Sequence, residues 1–463
     1  MKVTIIGYGM AGARVAAEIR ARTDATITVF GAEPHRAYNR ILLSGLLAGK
    51  TREDDLTLVE PHHGLDLRLG TEVGAIDTAR RTVNGEEYDA LVLATGSRAL
   101  LPPVENLVTE DGTPPEGVSV FRTLDDCRRI LKDATGAGTA LVLGGGLLGL
   151  EAARGLAARG LRVTVVHAAG HLMERQLDPA AGAVLTGTLE RLGITVVVDA
   201  LAVARTDGGL RLEDGTELTA DLLVVACGVR PETTLAARAG LDVNRGVVVD
   251  DHLRTSDPHI YAIGDCAEHR GTVYGLVAPA WEQAAVVAAQ LAGETAHYAG
   301  SRLVTRLKAA GIDLAAMGAM DGGEVVSYTD PARGTYARLV IDDDRLAGAI
   351  MLGDNPTVGQ VVQLFDRGTP VPPDRRALLL GRALGGDAVP AESPALMPDA
   401  AVVCRCNDVT KGAIVRCGAR TVTGIAAATR ATTGCGGCVD AVAGIADWLS
   451  TVDPVPADLG AAS

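Results

Sequence analysis

Four cysteines near the C-terminus have the type and spacing of a metal or cluster site. Cys404 and Cys406 form a C-x-C pair, 28 residues intervene, and Cys435 and Cys438 form a C-x2-C pair. Two such pairs can bring four thiolates to one centre, which suits Zn²⁺ or an iron–sulfur cluster. Gly434, Gly436 and Gly437 surround the second pair. Bare backbone N–H groups there are free to point at cluster sulfurs and tune a reduction potential. On the residues alone both metals stay open. Cys127, Cys227, Cys266 and Cys417 complete the eight cysteines, and all four are expected to be structural. A disulfide framework belongs to a small secreted chain, and this chain has 463 residues.

Two glycine clusters offer a second chemistry. Gly7-Tyr8-Gly9-Met10-Ala11-Gly12 follows the apolar run Val3–Ile6, and Gly144-Gly145-Gly146-Leu147-Leu148-Gly149 follows Ala140–Leu143. In G-x-G-x-x-G the first glycine permits a tight turn, the second lets backbone approach a pyrophosphate, and the third lets helix and strand pack closely. Both copies sit between a strand pattern and a helix pattern, which is the context the motif requires. The helices are expected at Ala13–Arg22 and up to about Arg159, and the second strands at Ala25–Phe30 and Arg162–Val166. A further echo lies downstream. Leu91-Val92-Leu93-Ala94-Thr95-Gly96 ends 89 residues after Gly7, and Leu223-Val224-Val225-Ala226-Cys227-Gly228 ends 84 after Gly144. Two similar dinucleotide-binding domains are the simplest account.

Such domains usually place an acid near the end of the second strand, against a ribose hydroxyl. In the first copy the candidate is Glu33, since Gly31 directly follows the strand. In the second copy the position holds His167, with His171 and Arg175 close by. An imidazole lacks the charge that repels a 2′-phosphate, so NADH and NADPH both stay open, with a lean towards dual use or NADPH. A third element runs from Ile260 through Ile263-Gly264-Asp265, followed by a helix pattern at Pro279–Ala292. His62, His63 and Asp66 are read as loop residues.

The elements that position these groups imply an α/β fold with several domains. The discontinuous stretches 1–118 and 245–300 are expected to form the first dinucleotide domain and 119–244 the second. Residues 301–384, with shorter strands such as Tyr336–Ile341 and Leu346–Leu352, form an α+β interface domain. A linker at 385–400, a compact module at 401–450 and a tail at 451–463 follow. Hydrophobic residues make up 47% and charged residues 22%, so large cores can form; aromatics are 3%, too few for base-stacking platforms. The net charge of −14 repels phosphate backbones and anionic membranes, so neither nucleic acid nor membrane is an expected partner. No run approaches a bilayer span and no export signal opens the chain, so a cytoplasmic protein is expected. The module at 401–450 is slightly basic, which favours an acidic docking surface.

In this order, the two fingerprints, Ala94-Thr95-Gly96 and Ile263-Gly264-Asp265 resemble the two-dinucleotide flavoprotein reductases over about residues 1–300. That resemblance implies FAD on Gly7, Gly9, Gly12, Glu33, Thr95 and Gly96, with Asp265 on the ribityl chain. It implies NAD(P)H on Gly144, Gly146, Gly149 and His167, with Glu151 at the nicotinamide carboxamide. The disulfide-reductase branch carries C-x4-C after the second strand. Here Ala37-Tyr38-Asn39-Arg40-Ile41-Leu42-Leu43-Ser44 stands there instead, so no dithiol relay is expected. Tyr38-Asn39-Arg40 resembles the ferredoxin- and nitrite-reductase branches, which implies Arg40 beside the FAD phosphates or isoalloxazine. The Cys404–Gly412 and Thr433–Cys438 phrases resemble the bacterioferritin-associated ferredoxin type of [2Fe–2S] module, which favours the cluster over zinc.

The whole order resembles the N-terminal part of bacterial nitrite reductase large subunits. No cysteine follows Cys438, so no sirohaem and [4Fe–4S] domain is expected, nor a molybdopterin domain. The expectation is an electron-transfer subunit of the assimilatory nitrate reductase type. Electrons pass from NAD(P)H through FAD and a [2Fe–2S] cluster to a separate nitrate (or nitrite) reductase catalytic subunit. Hydride transfer needs no side-chain acid or base, so no catalytic residue is assigned. The alternatives are a stand-alone NAD(P)H:rubredoxin or ferredoxin reductase, a subunit of an amino-acid dehydrogenase, and a non-enzymatic module that docks on a ferritin-like shell.

Overall fold

The computed structural model describes residues 1–58, 64–307, 309, 311–355, 357–380, 394–404, 407, 409–433 and 437–452. The chain divides into two compact units, one of residues 1–175 and 189–303, the other of 176–188 and 304–463.

The first unit holds two parallel five-stranded sheets built on one plan. The first runs Ile260–Ala262, Ala90–Leu93, Lys2–Ile6, Thr26–Gly31, Leu65–Leu69. The second runs Val118–Val120, Leu222–Val225, Thr139–Leu143, Arg162–Val166, Ile194–Val197. Near-continuous Val, Ile and Leu suit strands covered on both faces. Val3, Ile5, Ile27, Val29 and Leu91 are buried in the first core, and Leu141, Val166 and Leu223 in the second. In each sheet the strand order reverses beside the fingerprint strand, which opens a crevice at the carboxyl ends.

The fingerprint helices are Met10–Arg22, which starts three residues before the expected Ala13, and Leu147–Ala158, which ends next to the expected Arg159. Gly7 (φ +106°) and Gly144 (φ +116°) take a backbone conformation that L side chains rarely adopt, and a Cβ there would run into the Ala94 and Ala226 carbonyls. These glycines let each strand turn directly into its helix.

The second unit contains an antiparallel sheet in the order Val304–Leu307, Leu314–Gly318, Arg345–Leu352, Thr335–Asp342, Glu324–Asp330. The helix Val358–Arg367 buries Val361 and Phe365 against it and ends at Gly368, whose φ of +59° closes the last turn. A small module follows: a ribbon of Val402–Cys404 with Val409–Thr410, then helices Lys411–Arg416, Val422–Thr429 and Val439–Val452.

Three boundaries differ from expectation. Val118 already pairs with Leu223, so the edge strand of the second sheet begins one residue before 119. Residues 176–188, expected in the second dinucleotide domain, belong to the second unit. There Asp178 accepts hydrogen bonds from the Tyr336 hydroxyl (2.6 Å) and Arg338 Nη1 (3.3 Å) while capping the helix Pro179–Arg191 through Ala181 N–H (2.8 Å). The expected linker 385–400 is folded at its far end. Pro394–Leu396 forms a short helical turn, the Met397 carbonyl accepts from Lys411 Nζ at 2.6 Å, and the Asp399 carbonyl accepts from Gly412 N–H at 2.8 Å. The rest of that linker, most of the tail (453–463) and the pair His62-His63 lie outside the described residues. Among the described residues, no helix is long and apolar enough to cross a membrane.

Candidate functional site

Gly9 and Gly146 are the N-caps of the two fingerprint helices, with extended backbone and no side-chain cap bond. Uncapped helix N-termini present unsatisfied N–H groups and the positive end of the helix dipole. A Cβ on Gly146 would meet nothing within 4 Å, and one on Gly9 would meet only the Arg40 side chain, at 3.8 Å. Open ground over a bare helix start fits the pyrophosphate of a dinucleotide. Gly12 and Gly149 serve differently: a Cβ on either would collide with the carbonyl of the first glycine of its own motif.

Around the first fingerprint, Glu33, Tyr38 and Arg40 form one cluster. Arg40 Nη2 pairs with Glu33 Oε1, and the Tyr38 hydroxyl donates to Glu33 Oε2 at 2.8 Å while accepting from Leu124 N–H at 2.9 Å. Burial, with the Glu33 charge beside it, holds the Tyr38 phenol well above its ordinary value, so the donor is the neutral hydroxyl. Arg40 also stacks over the Tyr38 ring and points Nη1 at the Arg122 carbonyl (3.4 Å). Thr95 Oγ1 donates to the Glu232 carbonyl at 2.8 Å, and Gly96 (φ +73°) turns the chain after the Ala90–Leu93 strand.

Asp265 sits in the turn Gly264–Cys266, just beyond the strand Ile260–Ala262. The turn is anchored by the buried Gln283, whose Oε1 accepts from Gly264 N–H at 2.7 Å. Asp265 Oδ2 accepts from Ser97 Oγ (2.9 Å) and Arg122 Nη2 (2.6 Å), and Arg122 also donates to the Ser97 hydroxyl and carbonyl. Arg122 and Ser97 were not singled out from the sequence. No local motif marks them, because Arg122 precedes its carboxylate partner by 143 residues.

In the second copy, His167 Nδ1 accepts from Gly145 N–H (3.1 Å) and Nε2 faces Glu174 Oε2 (3.1 Å). An acceptor at Nδ1 puts the ring proton on Nε2, which donates to the carboxylate. The ring is thus turned inwards onto the glycine loop. Met173 N–H closes the same loop by donating to the Gly145 carbonyl at 3.0 Å. Glu151 is buried on the fingerprint helix and lines a cavity with Arg40, Leu43, Ser44, Phe121, Arg122 and Leu148. The structure therefore brings Glu151 of the second copy and Arg40 of the first to one place.

In the C-terminal module Cys404 and Cys438 are buried in one core with Val409, Ile414, Ile425 and Val442. Asn407 Nδ2 donates to Cys404 Sγ at 3.8 Å, held there by the Arg430 carbonyl and Thr433 Oγ1. Cys406 and Cys435 lie outside the described residues. Two thiols gathered in a common core, one with a side-chain N–H on its sulfur, fit a cluster ligand set. Cys417 donates to the Ile414 carbonyl at 3.0 Å, as a structural thiol does. Burial raises the Cys127, Cys227 and Cys266 thiols above their ordinary value, which disfavours the reactive thiolate.

Two sheets of one order, each opening onto an uncapped glycine-led helix, define an oxidoreductase with two dinucleotide domains. The chain belongs to the pyridine nucleotide-disulphide oxidoreductase family, whose model matches residues 1–289. The rubredoxin NAD+ reductase C-terminal domain matches 304–368, and the BFD-like [2Fe-2S] binding domain matches 402–448. FAD and NAD(P)H are the cofactors that this family implies, and the last match indicates a [2Fe–2S] cluster rather than zinc. The chain is 39% identical over 460 residues to a nitrite reductase (NAD(P)H) of Bacillus subtilis (strain 168), covering 94% of this chain and 56% of the relative. It is 37% identical over 460 residues to the assimilatory nitrate reductase electron transfer subunit of the same organism, covering 94% and 58%. It thus spans little more than half the length of these curated relatives. Among solved structures, the covalent putidaredoxin reductase–putidaredoxin complex is similar, with a TM-score of 0.74 at 28% identity, over 84% of this chain and 96% of that one.

Proposed function

We propose that this chain is an NAD(P)H-dependent electron-transfer flavoprotein that supplies single electrons to a nitrate- or nitrite-reducing catalytic partner. The observation that carries it is the union, in one chain, of two bare glycine-led helix starts with a thiol-lined C-terminal core. When bound, FAD would supply conversion of a hydride into single electrons, and a [2Fe–2S] cluster would carry them one at a time. The residues bind and orient. Gly9 and Gly146 leave the two helix starts open to pyrophosphates. Asp265, fixed by Ser97 and Arg122, presents a carboxylate to the flavin side chain. Glu151 and Arg40 face one cavity where nicotinamide and flavin rings would meet. The partner is inferred from what the relatives are named for, and a cytoplasmic location is the reading that fits NAD(P)H as donor.

The test is low-temperature EPR on the anaerobic protein after NADH, and separately NADPH, with iron and zinc quantified on the same sample. A one-electron cluster signal is expected. Bleached flavin with stoichiometric zinc and no signal overturns the reading. A second reading, a rubredoxin or ferredoxin reductase, is favoured by the rubredoxin reductase domain at 304–368. It predicts that replacing Cys404 by serine leaves reduction of such a carrier intact.

A further inference from the structure

The strand Val304–Leu307 opens the interface sheet and, among the described residues, pairs with Leu314–Gly318. Its residue Arg306 lies opposite Ala315, on the face that also carries Val304 and Met317 and is covered by the helix Val358–Arg367. From there the half-buried Arg306 side chain reaches the C-terminal module. A Cβ built on Gly437 would lie 2.6 Å from Arg306 Nε, 2.7 Å from its Cζ and 3.0 Å from its Cδ. The guanidinium therefore occupies the space where a Gly437 side chain would stand, ground that glycine leaves free. This contact joins the interface sheet to the residue that precedes Cys438.

We infer that Arg306 is a cation that raises the reduction potential of the C-terminal cluster and holds Gly437, beside the ligand Cys438, against the interface sheet. This rests on the [2Fe–2S] reading of the module. One-electron reduction adds one negative charge to a centre already ligated by four thiolates, with no bond formed or broken. A fixed positive charge one residue from the ligand Cys438 stabilises the reduced form more than the oxidised one. A part-buried guanidinium is screened less by salt than a surface lysine would be. Gly437 is then required for closeness, since any side chain there would push the charge away. The same cation makes the potential sensitive to whether the module stays docked on its strand.

The experiment is an EPR-monitored potentiometric titration of the full chain, with dithionite as reductant and iron and sulfide counted in each sample. Arg306→Gln is expected to lower the equilibrium constant for cluster reduction about tenfold, equivalent to about 59 mV for one electron. Arg306→Lys, which keeps the charge, should stay within about twofold. Gly437→Ala should lower it as well, by displacing the guanidinium. Wild-type protein without two irons and two sulfides overturns the cluster reading, and with it this inference. Loaded Arg306→Gln protein with an unmoved potential overturns the inference alone. If Arg306→Gln fails to load, Gly437→Ala decides: an unmoved potential there overturns the inference.

Discussion

Replacing Gly146 by alanine separates ligand binding from folding. Its backbone (φ −83°, ψ −177°) is open to any residue, and a methyl there touches nothing within 4 Å. Alanine removes unfolded-chain freedom worth about 0.4–1 kcal/mol. It is also a poorer N-cap than glycine, by roughly the same amount. These effects nearly cancel, so the melting temperature without nicotinamide should move by no more than about 2 °C. The methyl occupies the ground where backbone must approach a pyrophosphate. A displaced phosphate loses at least one hydrogen bond to a charged group, worth about 1.5–3 kcal/mol, so NADH and NADPH should bind about 10–150-fold more weakly. Titration calorimetry on the flavin-loaded protein, paired with scanning calorimetry, measures both numbers. Unchanged affinity at unchanged stability would refute the pyrophosphate site. Gly144→Ala is a poorer probe, since a Cβ there runs into the Ala226 carbonyl and damages fold and site together.

Arg122→Met leaves the Asp265 carboxylate with Ser97 alone, at a place where both partners of the pair are about four-fifths buried. It should destabilise the protein by about 1–3 kcal/mol and speed loss of FAD fluorescence-silent binding on dilution; retention equal to wild type would count against the Asp265 assignment. Burial pushes Cys127 up to about 12 and Cys227 up to about 11. At pH 8 about one thiol in a thousand or fewer is then thiolate, so iodoacetamide followed by mass spectrometry should find both unmodified in native protein and labelled in guanidinium. Asp221 accepts from Gly138 N–H, Thr139 N–H and Thr139 Oγ1, and these bonds, led by the Thr139 hydroxyl, hold its carboxyl below the usual range. Its contribution is therefore full above the unfolded value of about 3.9 and fades as pH falls through the folded one; Asp221→Asn should lower the melting temperature at pH 7 and approach wild type near pH 3.

The parts of this molecule that were legible in the sequence are those whose cause is local. A strand running into G-x-G-x-x-G must turn there, because Gly7 and Gly144 need a positive φ and Gly12 and Gly149 cannot carry a Cβ. Both dinucleotide sheets follow from that. What stayed hidden depends on partners far along the chain. Val118–Val120 is three residues long and becomes a strand only because Leu222–Val225 lies beside it. Asp178 looks like an ordinary helix cap, and only the Tyr336 and Arg338 side chains reveal why residues 176–188 join the second unit. Pro394–Asp399 has the composition of a linker. Yet Lys411, buried beneath the Trp448 ring, holds the Met397 carbonyl and ties that stretch to the module. Arg122 and Arg306 had no motif at all, since each acts through a residue more than a hundred positions away.

The two fingerprint copies share the order of their four central strands, their register and their glycine geometry, so the backbone there does not make them different sites. They diverge where the second strand ends. In the first, Gly31 lets the chain pass on to Glu33, whose carboxylate holds both the Arg40 guanidinium and the Tyr38 hydroxyl. That cluster couples an acid to a cation beside the helix start, where a ribose and a phosphate both need partners. In the second, His167 follows the strand directly and commits both ring nitrogens, one to Gly145 N–H and one to Glu174. A ring held at both nitrogens has neither a lone pair nor a proton left for a ribose hydroxyl. Held this way, the ring braces the glycine loop and orients the Glu174 carboxylate. The lean towards NADPH drawn from an imidazole at this position therefore weakens, because the charge His167 orients is negative and a negative charge repels a 2′-phosphate. One backbone grammar thus serves two sites whose chemistry is set by a few side chains just past the second strand.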